Sequence, residues 1–179
     1  SMEFDGTDDY LQLSEPFSHT NHTITGWFKL DVISDITTIF DARDSANDGL
    51  IVFITATGKL TYRIGDGSNQ DIFSDILDVN RWYNFACTYD GTTQTMYING
   101  VDVANATVTK SISTTTNATI GKVSYTNALY YNGQITEVGA YNRALTSLEV
   151  ASLYNQGMPT NLLVNRNNYQ SGNPTVFNT

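Results

Sequence analysis

One short segment of this chain gathers the oxygen-bearing side chains that a hard metal ion requires. Residues 41–49 read Asp-Ala-Arg-Asp-Ser-Ala-Asn-Asp-Gly, which combines three carboxylates with an amide. Ca²⁺ takes roughly six to eight oxygen ligands of this kind. The segment therefore predicts a calcium site formed by Asp41, Asp44, Asn47 and Asp48, although the spacing differs from that of an EF-hand loop. The alternative is a surface loop whose side chains bond their own backbone, with Arg43 neutralising part of the charge.

A second, smaller acidic cluster lies near the start of the chain, at Asp5, Asp8 and Asp9. An ion held there would stabilise the fold without touching a ligand. Ca²⁺ is the only cofactor that the sequence suggests.

Groups that could carry out catalysis are sparse. Glycoside hydrolysis normally needs two carboxyls roughly 5–10 Å apart, but Glu137 is followed by Val-Gly-Ala-Tyr, without a second acid. His19 and His22 sit close together with no paired Ser or Cys nucleophile nearby, and we expect both to be exposed loop residues. The sequence therefore predicts no enzyme activity.

Aromatic and amide side chains that could hold a sugar ring concentrate in two other segments, residues 66–70 and 123–131. The predicted ligand-binding residues are Asp66, Asn69, Tyr125, Asn127, Tyr130 and Tyr131. Alternatively, Tyr130 and Tyr131 only begin the last strand. Trp27 and Trp82 fall within strand patterns, and we expect both in the core.

The elements that position these segments are strands. In the block Trp82–Val101, apolar side chains occupy every second position, which places them on one face of a pleated strand. Cys87 follows this pattern and is predicted to point into the core. Asp90-Gly91 and Asn99-Gly100 predict two hairpin turns, because such pairs tolerate positive φ.

Further strand-like runs recur about every ten residues, which predicts an all-β fold of two antiparallel sheets. They are 24–30, 36–42, 50–55, 59–64, 71–74, 102–106, 116–122 and 133–141. One short helix follows near the C-terminus: Thr146 and Glu149 form a capping box. Its predicted apolar stripe is Leu148, Ala151, Leu153 and Tyr154, and Gly157 and Pro159 are predicted to end it.

Length and composition fit one domain at residues 1–159 and an Asn-rich arm or linker at 160–179. The formal net charge is −9, and no basic stripe is present, which argues against a nucleic-acid partner. No segment is apolar for long enough to predict insertion into a membrane.

Four segments together resemble laminin G-like domains of the concanavalin A-like jelly-roll group. They are Phe4–Leu11 ("FDGTDDYL"), Thr23–Phe28 ("TITGWF"), the central "WYNFACTYDG…MYING" block, and Tyr131–Thr146 ("YNGQITEVGAYNRALT"). Their order and spacing cover residues 3–157. The resemblance implies a jelly-roll β-sandwich of a kind found in secreted bacterial proteins and in phage structural proteins. Asn47 and Asp48 also fall on a pair, Asn or Asp followed by an acid, that resembles the one in the related pentraxins. Lys122, however, stands where pentraxins supply further ligands, so their double calcium site is not expected.

The resemblance implies a non-catalytic binding or adhesion module within a larger extracellular or virion protein. Its ligand would be a glycan or a protein surface, bound by loops on a rigid sandwich. The alternative is a structural assembly or decoration domain of a phage tail, fibre or capsid, without a soluble ligand. A homo-oligomer is compatible with either hypothesis.

Overall fold

The structure, a computed structural model, describes residues 1–17, 20–112 and 114–154 and the backbone of 175–176. Within these residues the chain forms thirteen strands and one helix. The strands are β1 (Met2–Asp5), β2 (Leu11–Gln12), β3 (His22–Leu30), β4 (Thr37–Ser45), β5 (Asp48–Ile54), β6 (Lys59–Asp66), β7 (Asn69–Ile76), β8 (Trp82–Tyr89), β9 (Thr93–Ile98), β10 (Val101–Thr107), β11 (Thr119–Ile120), β12 (Asn132–Tyr141) and β13 (Thr175–Val176). The helix, α1, spans Ser147–Tyr154.

The strands form two antiparallel sheets. The first sheet has the order β1-β12-β3-β8-β9-β10, and β13 also pairs with β12. The second sheet has the order β2-β11-β4-β5-β6-β7. The predicted two-sheet β-sandwich with one short helix is thus confirmed.

The core lies between the two sheets and is built by the alternation that the sequence showed. Phe28, Phe85 and Cys87 contribute from the first sheet, and Val52 and Tyr62 contribute from the second; all five are fully buried. The inward position predicted for Cys87 is confirmed. Burial raises the pKa of its thiol well above the ordinary value, because the thiolate would lose its hydration.

Both predicted hairpin turns are present. Asn99 (φ 52°) and Gly100 (φ 76°) take the left-handed conformation between β9 and β10, as a two-residue hairpin requires. At the other turn, the carboxylate of Asp90 accepts hydrogen bonds from the backbone N–H groups of Thr92 and Thr93.

Helix α1 begins at the predicted capping box but packs on a different face. The Thr146 hydroxyl accepts a hydrogen bond from the Glu149 N–H, and the Thr146 N–H donates to the Glu149 carboxylate. Leu148 is 80% exposed, so its place in the predicted stripe was wrong, and Val150 is the buried residue. Tyr154 stacks on Trp27, with ring centroids 5.8 Å apart. The predicted helix stop lies outside the described residues.

His22 corrects another expectation. The residue belongs to β3 and is fully buried, with its Nε2 atom 2.6 Å from the hydroxyl of Tyr62. The prediction of an exposed loop residue was wrong because β3 begins two residues earlier than the apolar pattern indicated. His19 lies outside the described residues. Of the two tryptophans, Trp27 is buried as expected, whereas Trp82 is only half-buried.

The predicted arm at residues 160–179 falls outside the described residues, apart from the backbone of Thr175–Val176, which pairs with Gly139 and Ala140. In the described part of the chain, no helix has the length and apolar character to cross a membrane.

Candidate ligand-binding site

The outward face of the second sheet carries charged, amide and aromatic side chains close together. Strand alternation turns Leu60, Tyr62 and Ile64 into the core, so the residues between them face outward. On this face Arg63 of β6 pairs in register with Asp71 of β7. We call the surface formed by Arg63, Asn69, Asp71, Phe73 and Tyr125 the platform.

Arg63 and Asp71 form a side-on ion pair at the centre of the platform. The Arg63 Nε atom lies 2.6 Å from Asp71 Oδ1, and Nη2 lies 2.7 Å from Oδ2. Hydrogen bonding to Asp71 raises the pKa of Arg63 above its ordinary value. The two side chains remain 28% and 21% exposed. The Arg63 guanidinium also stacks 5.3 Å from the ring centroid of Phe53. The pair is therefore fixed in place and still accessible.

The second element is Tyr125, whose ring lies over a buried ion pair. The guanidinium of Arg43 is 5.3 Å from the Tyr125 ring centroid, and Arg43 Nη2 lies 2.7 Å from Asp41 Oδ2. The Ser124 hydroxyl contributes a 3.1 Å hydrogen bond to Asp41 Oδ1. Burial raises the pKa of Asp41, although hydrogen bonds from Arg43 and Ser124 oppose that rise. This network anchors the segment that carries Tyr125.

The β4–β5 and β6–β7 turns are joined beside the platform. The Asn69 amide donates to Asn47 Oδ1 at 2.9 Å, and the Gly67 N–H donates to the Asn47 carbonyl at 2.8 Å. Arg43 Nη1 donates to the Ala46 carbonyl at 3.1 Å. The structure thus brings the two turns and Tyr125 together through Arg43 and Asn47.

The four residues predicted to bind calcium do not converge. Asp41 is buried against Arg43, and Asp44 accepts hydrogen bonds from the N–H and hydroxyl of Thr116. Asn47 bonds to Asn69, and Asp48 Oδ1 is buried with no hydrogen-bond partner among the described residues. In the same residues no group of three or more His, Cys, Asp or Glu side chains is placed to hold a metal ion. Calcium binding stays a prediction, and Asp41 is the ligand least free to take part.

The N-terminal acidic cluster bonds locally. Asp9 Oδ2 accepts from the Asp5 N–H, and Asp5 Oδ1 accepts from the Thr7 N–H. These are the Asx-type bonds of a turn.

The six predicted ligand-binding residues separate into groups. Asn69 and Tyr125 belong to the platform, with Tyr125 40% exposed. Asp66 instead forms a 2.9 Å ion pair with Lys110, and Asn127 accepts from Lys122 Nζ at 3.0 Å. Hydrogen bonding to Lys110 lowers the pKa of Asp66.

The two remaining tyrosines lie elsewhere. Tyr130 lines a separate shallow cavity of about 240 Å³ with Ile36 and Leu129. Tyr131 is fully buried against Phe4, and its hydroxyl donates to the Lys29 carbonyl at 2.9 Å. Tyr131 is therefore a core residue, and its assignment to a binding loop was wrong. Tyr131 directly precedes β12 and is in phase with the buried Gly133 and Ile135, so its side chain points inward.

Sequence reasoning missed Arg63, Asp71 and Phe73. Phe73 is 47% exposed and lies two positions from Asp71 on the same face of β7. The alternation of residues 59–64 marked Arg63 as outward-facing, but the partner of Arg63 depends on the register of β6 and β7, which periodicity does not give.

Two antiparallel sheets in this order, with an exposed polar face, define a jelly-roll sandwich of the concanavalin A-like type. The chain belongs to the laminin G-type family described as the concanavalin A-like lectin/glucanases superfamily, whose model matches residues 5–151. No curated protein sequence matches this chain.

Solved structures show the same fold. A heptameric SAP-like pentraxin from Limulus polyphemus is similar with a TM-score of 0.68 and 18% identity, over 85% of this chain and 80% of the pentraxin. The NanB sialidase of Streptococcus pneumoniae is similar with a TM-score of 0.70 and 21% identity, and the match covers 84% of this chain and 27% of the sialidase. The receptor binding domain of botulinum neurotoxin C/D mosaic serotype is similar with a TM-score of 0.71 and 13% identity. That match covers 86% of this chain and 42% of the toxin chain. This chain thus corresponds to only part of the sialidase and of the toxin domain.

Proposed function

We propose that this chain is a non-catalytic binding module that recognises a cell-surface glycan through the platform. The observation that carries the proposal is the combination of two exposed aromatic rings, Phe73 and Tyr125, with the accessible Arg63–Asp71 pair between strands. Aromatic faces pack on the apolar side of sugar rings, and polar pairs beside them bind the hydroxyls.

The rigidity of the site supports binding further. Tyr125 rests on Arg43, and the Arg63 guanidinium is fixed between Asp71 and Phe53. A site whose side chains are already held loses little conformational entropy when a ligand binds.

The similar structures include proteins that interact with cell-surface molecules. Cell entry of botulinum neurotoxin type C depends on interaction with two ganglioside molecules. A botulinum neurotoxin DC binding domain forms a complex with rat synaptotagmin II. We extend this to an extracellular or virion-surface role for the present chain, within a larger protein.

A glycan array tests the proposal. The unaltered protein, Phe73→Ala, Tyr125→Ala and the control Val101→Ala would be applied to the same array. Val101 is 62% exposed on the first sheet, so the control shortens an exposed apolar side chain away from the platform. We expect binding to fall at least tenfold in the two platform variants and to persist in the control. No binding above background to any glycan would refute the proposal, and capture of a protein instead would indicate a protein ligand.

A structural assembly role is the second candidate, and one observation favours it. Val101 and Val103 are exposed on β10, an edge strand of the first sheet, and Ile76 is exposed on the neighbouring β7, an edge strand of the second sheet. Exposed apolar groups on edge strands favour association between chains. Light scattering that showed a stable trimer, dissociated by Val101→Lys, would support assembly; a monomer at all concentrations would exclude it.

Calcium binding by Asp44, Asn47 and Asp48 remains a proposal of its own, since these donors lie at the end of β4, in the following turn and at the start of β5, beside the platform. A melting temperature raised by several degrees in millimolar calcium relative to chelator would support the site. Identical melting curves in calcium and in chelator would refute calcium binding by these residues.

A further inference from the structure

We propose, on the basis of the function above, that the ligand is a neutral glycan engaged through adjacent hydroxyl groups, and not a sialylated or otherwise anionic one. The inference comes from the charge state and the free hydrogen-bonding positions of the platform.

Every cation at the platform is already compensated. Arg63 is bound side-on by Asp71, and Arg43 is bound by Asp41 beneath Tyr125. Lys59 lies on the same strand without an ion pair among the described residues, but it is four residues from Arg63. That separation is about 13 Å along β6. Lys122, three residues before Tyr125, also has no ion pair among the described residues, but it is only 6% exposed, and its ammonium group donates to Asn127 and to the Thr126 carbonyl and lies 4.3 Å from the Tyr10 ring centroid. Among the described residues, the platform therefore presents no accessible and uncompensated positive charge beside its aromatic rings.

An anionic ligand meets two obstacles at this surface. Asp71 occupies the side-on edge of Arg63 and neutralises its charge, so a carboxylate at the remaining Nη1/Nη2 edge would meet hydrogen-bond donors but no net positive charge. An incoming carboxylate would also lie within a few ångströms of the Asp71 charge, which repels it. The formal net charge of −9 adds a long-range repulsion of the same sign.

A pair of neighbouring hydroxyls meets neither obstacle. Arg63 uses Nε and Nη2 for Asp71, and among the described residues its Nη1 has no hydrogen-bond partner. Nη1 therefore supplies free donors, and the Asp71 carboxylate keeps free acceptor positions. Two adjacent sugar hydroxyls can accept from Arg63 and donate to Asp71 at once, because each hydroxyl does both. In this arrangement the ring of Phe73, two residues from Asp71 on the same face, packs against the sugar ring.

The test compares matched glycans that differ only in a terminal sialic acid, applied to the unaltered protein, Asp71→Asn and Asp75→Asn. Asp75 is an exposed carboxylate on the same strand, outside the platform, so its substitution changes the net charge equally. We expect the unaltered protein to bind the neutral glycan at least tenfold more tightly than its sialylated counterpart. Asp71→Asn should lose about tenfold in neutral binding, which is the loss expected for one charge-assisted hydrogen bond, and should gain binding to the sialylated form.

The outcomes separate the inference from the function on which it rests. Preferential binding of the sialylated glycan by the unaltered protein overturns the inference of a neutral ligand, but it remains consistent with the proposed glycan-binding function. Equal effects of Asp71→Asn and Asp75→Asn also overturn it, because the effect would then follow net charge and not the pair. Absence of binding to both glycans refutes the proposed function itself. Thermal melting of each variant checks that the fold is retained, and Phe73→Ala gives a second platform variant without any change of charge.

Discussion

Replacing Arg43 with methionine should destabilise the protein in a pH-dependent way. The substitution leaves the Asp41 carboxylate fully buried without its cation. Removal of one partner of a buried ion pair typically costs about 3–5 kcal/mol. The variant can limit this cost by protonating Asp41. Protonation of a carboxyl of ordinary pKa 3.8 costs about 4.4 kcal/mol at pH 7 and about 1.6 kcal/mol at pH 5, at about 1.36 kcal/mol per pH unit.

The direction of this pH dependence follows from the number of protons that the folded and unfolded states bind. Burial already raises the pKa of Asp41 in the folded protein, and loss of Arg43 raises it further, so the folded variant binds a proton that the unfolded chain has released. The free energy of unfolding of the variant is then largest below pH 3.8, the ordinary pKa of the carboxyl. It falls as pH rises through the pKa of Asp41 in the folded variant. We therefore expect Arg43→Met to lose about 4 kcal/mol at pH 7 and to recover more than half of that at pH 5.

Urea unfolding followed by tryptophan fluorescence measures this effect. The double variant D41N/R43M is the control, because it lacks the buried charge and every other titrating group is unchanged. The difference in free energy of unfolding between Arg43→Met and the double variant should shrink from pH 7 to pH 5. A difference that stays constant over this range would refute the account of the buried pair.

Three further predictions concern the fold. Because Cys87 is fully buried and its thiol pKa is raised, a thiol-specific colour reagent should react only after unfolding; complete reaction with the native protein within minutes would contradict this. Gly133→Ala should lower the free energy of unfolding by about 2–4 kcal/mol, since φ is +139° and the added Cβ would clash with the Lys29 carbonyl; an unchanged urea midpoint would contradict it. Hydrogen bonds from Arg143 lower the pKa of Glu149 to about 2, so Glu149→Gln should cost about 1 kcal/mol at pH 7. That loss should disappear as pH falls from 4.5 towards 2, and a loss unchanged at pH 2.5 would contradict the role of the ion pair.

Local sequence rules predicted the features that depend on neighbours along the chain. The hairpin at Asn99-Gly100 and the capping box at Thr146 and Glu149 involve residues within a few positions of each other. The inward position of Cys87 follows from alternation within one strand. Such features need no knowledge of which strands pair.

The features that were missed depend on contacts between distant residues. Arg63 meets Asp71 because of the register of β6 and β7. Asp41 is paired with Arg43 and Ser124 and is not turned to solvent, because β4 extends through this segment and a later loop covers it. His22 is buried because β3 begins before the apolar pattern does, and Tyr131 is buried because, just before β12, it continues the inward alternation of that strand. A linear pattern gives the spacing of donors, whereas packing decides which donors remain free.

The most direct test of the central claim is the binding of neutral glycans on an array by the unaltered protein, the double variant F73A/Y125A and the control V101A. If the platform is the binding site, the unaltered protein and the control will bind the same neutral glycan, and the double variant will fall to background with an unchanged melting temperature. Equal binding by all three proteins would contradict the assignment of ligand recognition to the outward face of the second sheet.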